Sequence, residues 1–511
     1  MTSHVPNRSA RGCLTCKQRK KKCDETRPSC ERCREGDFYC LGYDHLNVPK
    51  RTSTSHQQSS ISTPIASSST SPVPISGTDT GQTSESSLVY GATGLLQTEP
   101  EISQNVVSWG QAAQLAHSIP RSIVVDAIDP KNLSPLVVSQ LGRLASRVMF
   151  GPLPYAIETG LDRISNESLE PKRWSLYLGA HVVRALLEGT HQNQYIGWID
   201  RFQRQITDTS VSEVLDVPDL EGRLSSMLDL AYYALMILDS RASYTLLKQC
   251  LPLFLKLAAE FTNLWAESSA ISIFHTLHGP IYEMRKFVLW DTVSAAAFGT
   301  APLLHYETNF YDPPTDRLSI KIVEWAYGCP GDIIVLLAKI NVWRVSKWIE
   351  QAVWNEEQWR EIEERLKGWK PVMDTDQSAS VVARFAIQES WRQAVFVYLY
   401  MGMCGVDSAD PRVESSVRQI VQLASTIEPG NPFEIHLCMP CLIAGVAARQ
   451  EPHRALLRKK LDLSRNENVW CLRGADFVPV LDHLWHGAGA GGRLITWEDY
   501  VTSRCMVLSI E

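Results

Sequence analysis

From Ser134 onward, bulky apolar side chains recur every three or four positions, the spacing that places them on one face of an α-helix. Leu136, Leu141, Leu144 and Val148 form one such stripe, and Leu224, Met227, Leu228, Ala231, Leu235 and Leu238 form another. Gly331-Asp332 opens a further run, in which the Asp332 carboxylate is expected to cap the free N–H groups ahead of Ile333, Leu336, Leu337, Ile340 and Trp343. Trp359, Ile362, Leu366 and Trp369 make one face of a charged segment whose Glu and Arg residues take the solvent side. Alternating strand patterns bounded by tight Gly/Asn turns are scarce, so the region from about 134 to 506 predicts one large all-α body.

Upstream the pattern fails. Residues 52–87 hold 20 Ser/Thr, two charges and almost no bulky side chains. Such a stretch cannot bury enough apolar surface to offset its ordering entropy, and it is expected to be a disordered linker. Residues 88–130, with scattered Val and Leu and with Trp109, are intermediate. The expected organisation is a small head over residues 1–45, a Ser/Thr-rich linker over 46–130 and the helical body over 131–511.

Charge separates the head from the body. The whole chain carries −6, yet residues 1–51 contain 12 Lys/Arg against 6 Asp/Glu, or +6, which leaves −12 for the remainder. A compact basic head on an acidic body predicts polyanion binding by the head alone. No apolar run reaches the ~18–20 residues that span a bilayer, and the opening MTSHVPNRSARGC has no secretory-type apolar stretch. A reducing compartment is therefore expected, where clustered cysteines suggest metal rather than disulfides.

Cys13, Cys16 and Cys23 are spaced by two and six residues, and Cys30, Cys33 and Cys40 repeat that spacing. Zn²⁺ favours sulfur and four-fold coordination, so two ions need eight ligand positions, which six thiolates supply only if two of them bridge both metals. One zinc on four cysteines with two spare thiols is the alternative, and it leaves the repeat unexplained. Between Cys16 and Cys23 runs Lys17-Gln18-Arg19-Lys20-Lys21-Lys22, which the first Cys-x2-Cys can start as a short helix. Two Zn²⁺ and six thiolates sum to −2, lowering the head's +6 to about +4, so basic residues must surround the metal core if it is to hold DNA.

The segment from Gly12 to Tyr43, with its GCLTCKQRKKKCDETRPSCERCREGDFYC, resembles the fungal Zn2Cys6 binuclear-cluster transcription factors. The resemblance implies a module of two short helices around two Zn²⁺, held by Cys13, Cys16, Cys23, Cys30, Cys33 and Cys40, with Cys13 and Cys30 bridging. It further implies that the end of the basic run reads a CGG triplet in double-stranded DNA. Carried over by position, Lys20 and its neighbour Arg19 would read bases, since Lys or Arg on guanine O6 and N7 is the commonest specific major-groove contact. Lys17 and Lys22 would hold phosphates and set register. Taken alone, KQRKKK would suggest a solvated face or a nuclear-import signal, and the same residues can direct import as well.

Family members often dimerise through a coiled coil after the cluster, but residues 41–60 show no such heptads. A monomer, a homodimer or a heterodimer through the body stays open, as do transcriptional co-regulators. The body resembles the fungal-specific regulatory domain that accompanies such clusters, particularly at EWAYGCPGDIIVLLAKINVW, Glu324 to Trp343. The expected function is a nuclear, zinc-dependent regulator of RNA polymerase II genes. The alternative is an effector-sensing regulator whose body binds a small molecule and gates the head.

No catalytic constellation competes. Gly487, Gly489 and Gly492 match a dinucleotide fingerprint with no strand before them. Cys438-x2-Cys441 has metal-like spacing but lies in an apolar helical stretch, where a buried structural pair is expected. The His305-x-Glu307 pair stands too far from that CxxC to suggest a zinc deaminase. His275 with His278, and His483 with His486, are three apart and lack the accompanying Glu of a metalloprotease helix.

Overall fold

The computed structural model describes, in the head, residues 11–13, 16–17, 20–27, 30–35 and 43. Beyond the head it describes 133–510 apart from 149, 151–169, 191, 210–214, 267–268, 312–323, 325, 351–355 and 372–377. The expected linker, 46–130, lies outside the described residues.

In the head, helix α1 spans Glu31–Glu35. The body is all-α as the stripes predict. Its helices are α2 (Leu133–Val148), α3 (Glu170–Glu188), α4 (Ile196–Thr209), α5 (Val217–Ile237), α6 (Ser240–Ala259), α7 (Ile273–His278), α8 (Tyr282–Phe298) and α9 (Gly331–Glu350). There follow α10 (Glu356–Gly368), α11 (Ser378–Tyr398), α12 (Pro411–Ser425), α13 (Cys438–Ala447), α14 (Glu451–Asp462), α15 (Gly474–His486) and α16 (Trp497–Val507). Among the described residues the extended structure is one parallel pair, β1 (Ile271–Ser272) with β2 (Tyr306–Glu307).

Two helices are buried nearly all round and form the centre. Along α8, Phe287, Val288, Leu289, Trp290, Val293 and Ala296 are all buried, and the helix packs on α5, α6, α7, α9 and α13. Every residue of α13 is buried. The stripes behave as expected around them. Leu144 and Val148 of α2 enter the main core, Leu224 to Leu235 of α5 are buried, and Ile362 and Leu366 of α10 are buried beside partly covered Trp359 and Trp369.

Local chemistry starts the helices. Asp216 and Asp239 cap α5 and α6, accepting from the N–H groups of Asp219 and Ala242 at 2.9 and 2.8 Å. At α9 Asp332 lies inside the first turn, where its charge suits the helix dipole, and the Gly331 N–H is accepted by Glu324 Oε1 at 3.2 Å.

Of the pairs set aside on sequence grounds, Cys438 and Cys441 are buried on α13, where burial pushes their thiols well up, while His305, His483 and His486 are exposed. His278 stacks on Phe274 at 4.0 Å, and Gly487–Gly492 form the turn after α15, with Gly491 and Gly492 at positive φ. Among the described residues no helix is long and apolar enough to cross a membrane.

Candidate metal centre and nucleic-acid interface

The two cysteine halves fold alike. In the first, the Lys17 N–H donates to the Cys13 carbonyl at 3.1 Å and the Cys16 N–H to Cys13 Sγ at 3.3 Å. In the second, Arg34 N–H donates to the Cys30 carbonyl at 3.2 Å and Cys33 N–H to Cys30 Sγ at 3.3 Å. Each Cys-x2-Cys thus closes one helical turn, and the first sulfur of each half receives a backbone N–H from the second cysteine.

The sulfurs converge. Cys13 Sγ lies 3.5 Å from Cys30 Sγ and 3.8 Å from Cys33 Sγ, and Cys16 Sγ lies 3.7 and 3.8 Å from the same two. A zinc tetrahedron with Zn–S of about 2.3 Å has edges of about 3.8 Å, so these separations are those of sulfurs sharing a metal. The sulfurs of Cys13, Cys16, Cys23 and Cys30 all lie within 4.8 Å of one another. Cys40 lies outside the described residues.

The donor chemistry agrees. Burial pushes the Cys16 thiol up to about 11 and raises Cys30 as well, whereas at Cys23 burial is outweighed by the N–H groups of Cys13 and Glu25, which hold the thiol below its ordinary value; a bound cation would favour the thiolate at all three. Among the described residues the buried cluster here consists of Cys13, Cys16, Cys23, Cys30, Cys33 and Tyr43, with no aliphatic side chain. A metal bound by the thiolates would serve as its core.

Two residues with no role in the sequence reading brace this centre. The Asp24 carboxylate accepts the N–H groups of Glu31 and Arg32 at 2.8 and 3.0 Å, so the end of the first half caps the helix of the second. Tyr43 donates its hydroxyl to the Thr26 carbonyl at 2.9 Å, lies 3.5 Å from Cys23 Sγ and is covered by the Arg27 guanidinium 4.9 Å above its ring. Capping signals are local, and Asp24 stands seven residues ahead of the helix it caps. Its role was therefore unreadable from spacing. Asp24→Ala is expected to cost about 0.5–2 kcal/mol of stability in the zinc-loaded head, the usual loss for a capping side chain. Faster zinc transfer to a chromogenic chelator would register it, and an unchanged rate would remove Asp24 from the brace.

The basic run leaves the metal centre through a tight helix end. Lys20 N–H donates to the Lys17 carbonyl at 3.1 Å and Lys21 N–H to the Cys16 carbonyl at 2.9 Å, the paired bonds of a Schellman close. Lys20 takes the left-handed position at φ 54°. Lys17, Lys20, Lys21 and Lys22 are all exposed, while Arg19 lies outside the described residues. The result is a cluster of ammonium groups at the end of a helical turn, beside the sulfurs.

Comparison with known proteins agrees with this chemistry. Residues 11–47 match the fungal Zn(2)-Cys(6) binuclear cluster domain, and residues 189–510, more than half of the chain, match the fungal specific transcription factor domain. The core extends upstream of the second match, since Leu144 and Trp174 belong to the same apolar cluster. Among curated relatives, the "Zinc cluster transcription factor CZF1" of Candida albicans is 48% identical over 50 residues, covering 9% of this chain and 13% of that protein. The "Aspercryptin biosynthesis cluster-specific transcription regulator atnN" of Emericella nidulans is 50% identical over 44 residues, 9% of this chain and 7% of that protein. The "Transcription factor lfc1" of Flammulina velutipes is 50% identical over 44 residues, 9% of this chain and 15% of that protein. This chain thus matches only a small part of each relative's length, and no solved structure matches it. Both matched domains are those of transcription factors and not of enzymes, and with a zinc-binding, lysine-tipped head ahead of a helical body the chain belongs to the fungal zinc-cluster transcription factors, DNA-binding regulators of transcription.

Proposed function

We propose that the chain acts in the nucleus on RNA polymerase II genes and reads CGG-type triplets in the major groove. The observation that carries this reading is the Schellman close, which presents Lys20 and its exposed neighbours at the tip of the first cysteine half. A guanine-rich triplet suits that tip because guanine O6 and N7 both accept from a cationic donor. In this assignment Lys20 and Arg19 contact bases, and Lys17 and Lys22 contact phosphates.

The head would hold two Zn²⁺ on Cys13, Cys16, Cys23, Cys30, Cys33 and Cys40, with Cys13 and Cys30 shared. Support comes from the matching fold of the two halves and from the 3.5 Å between the two shared sulfurs. The domain boundaries would be 1–45, 46–130 and 131–511. A second copy or another family member, and transcriptional co-regulators, would be recruited by the body.

The test is selection of bound duplexes from a random DNA pool by the zinc-loaded full chain near physiological salt. Enrichment of CGG triplets is expected, and their number and spacing will give the number of heads bound. No enrichment by a protein shown to carry its zinc would overturn the triplet assignment.

A further inference from the structure

Three helices of the body line a cavity, open to solvent on one side, that the zinc head does not explain. On α3, Pro171, Trp174 and Ser175 face it, on α4 Phe202, Gln205 and Ile206, and on α5 Arg223 and Leu230. These are i, i+3, i+4 and i+7 spacings, so three helix stripes turn the same side inward without filling the space between them. The cavity measures about 160 Å³. Engineered apolar cavities of about 150 Å³ stay dry and take up benzene, so the volume suits a single aromatic ring.

The walls are chemically divided. Trp174 and Phe202, with ring centroids 5.5 Å apart, and Leu230 make an apolar seat. Arg223 lines the same cavity half-exposed, with one of its N–H groups on the Ile206 carbonyl at 3.3 Å. Behind Ser175 stands a buried ionic floor. Ser175 donates to Asp229 Oδ2 at 3.2 Å, and Asp229 is held by Lys172 at 2.7 Å and Lys286 at 3.4 Å. Those side chains come from α3, α5 and α8, so whatever fills the cavity bears on the joint between the first helices of the body and its central helix.

We propose that this cavity is a binding site for a small aromatic monocarboxylate, its ring seated against Trp174, Phe202 and Leu230 and its carboxylate on Arg223. The size selects one ring, and Arg223, the one cation among the described lining residues, selects one negative charge, since a guanidinium fork matches a carboxylate. The inference rests on reading the body as a regulatory domain. Its test does not involve DNA, so it can fail without touching the zinc and triplet assignments.

The probe is benzoate, titrated into the zinc-loaded full chain and followed by ligand-observed NMR and by thermal melting, with benzyl alcohol and citrate as controls at matched ionic strength. Benzoate is expected to bind and raise the melting temperature, benzyl alcohol to bind more weakly, and citrate to do neither. Arg223→Met, which keeps the apolar stem, should weaken benzoate about 10–100-fold, the worth of a charged hydrogen bond, and leave benzyl alcohol unchanged. Ile206→Phe should fill the cavity and exclude both. If Ile206→Phe does not fold, the Arg223→Met comparison alone decides. Absence of benzoate binding to the folded chain, or equal binding by Arg223→Met, would overturn the site.

Discussion

Stripping zinc from the full chain is expected to abolish duplex binding while the helical body stays folded. Among the described residues the head's buried cluster is five cysteines and one tyrosine, so the bound metal takes the place of an apolar core in holding α1 and the basic run. Apparent zinc-binding free energies in small structural sites run to about 10–16 kcal/mol, far more than the hydrogen bonds of Asp24 and Tyr43 can replace. Removing the cation also leaves thiols that burial keeps protonated, as at Cys16. The body has a core of its own around α8 and α13, with no metal-ligand group of three among its described residues. The measurement pairs far-ultraviolet circular dichroism with a fluorescence-anisotropy titration of labelled duplex before and after chelation. Loss of anisotropy with retained helicity is expected, and readdition of Zn²⁺ should restore binding. Binding that survives verified metal removal would show that the basic run works without the cluster.

Replacing Lys20 should separate folding from reading. A non-glycine residue in the left-handed conformation costs roughly 1–2 kcal/mol, and this chain carries lysine at a helix end where glycine is the usual occupant. Lys20→Gly is therefore expected to raise the thermal stability of the zinc-loaded head while costing about 1–3 kcal/mol of discrimination against a mutated triplet. Lys20→Ala should lose the same discrimination without the gain in stability. Lys17→Ala should weaken selected and random duplexes alike and reduce the slope of log affinity against log salt by about 0.9, the loss of one phosphate contact. Equal losses on selected and random DNA in the Lys20 variants would move Lys20 to the phosphate backbone. A less stable Lys20→Gly head would contradict the helix-end assignment.

The sequence by itself determined the features whose causes are local. Six sulfurs at a repeated spacing demand a metal because coordination number and thiolate chemistry do not depend on the rest of the fold, and Lys17–Lys22 are basic wherever they lie. The stripes of α2, α5 and α10 were legible because apolar residues at helical spacing must share a face. The burial of the Cys438-x2-Cys441 pair was legible too, since its neighbours in the chain are apolar.

What only the tertiary structure decided involves partners distant in the chain. Asp24 caps a helix seven residues away, Glu324 accepts the Gly331 N–H at the start of α9, and Tyr43 closes over Cys23 from beyond the last cysteine. The left-handed turn at Lys20 has no signal in its side chain, which a glycine or asparagine would have supplied. The cavity among α3, α4 and α5 is invisible to periodicity, because a stripe shows that a face is covered but not how completely its neighbours fill the space. Periodicity and coordination chemistry are properties of short stretches of chain, whereas caps, closures and cavities depend on the distances that packing sets between stretches.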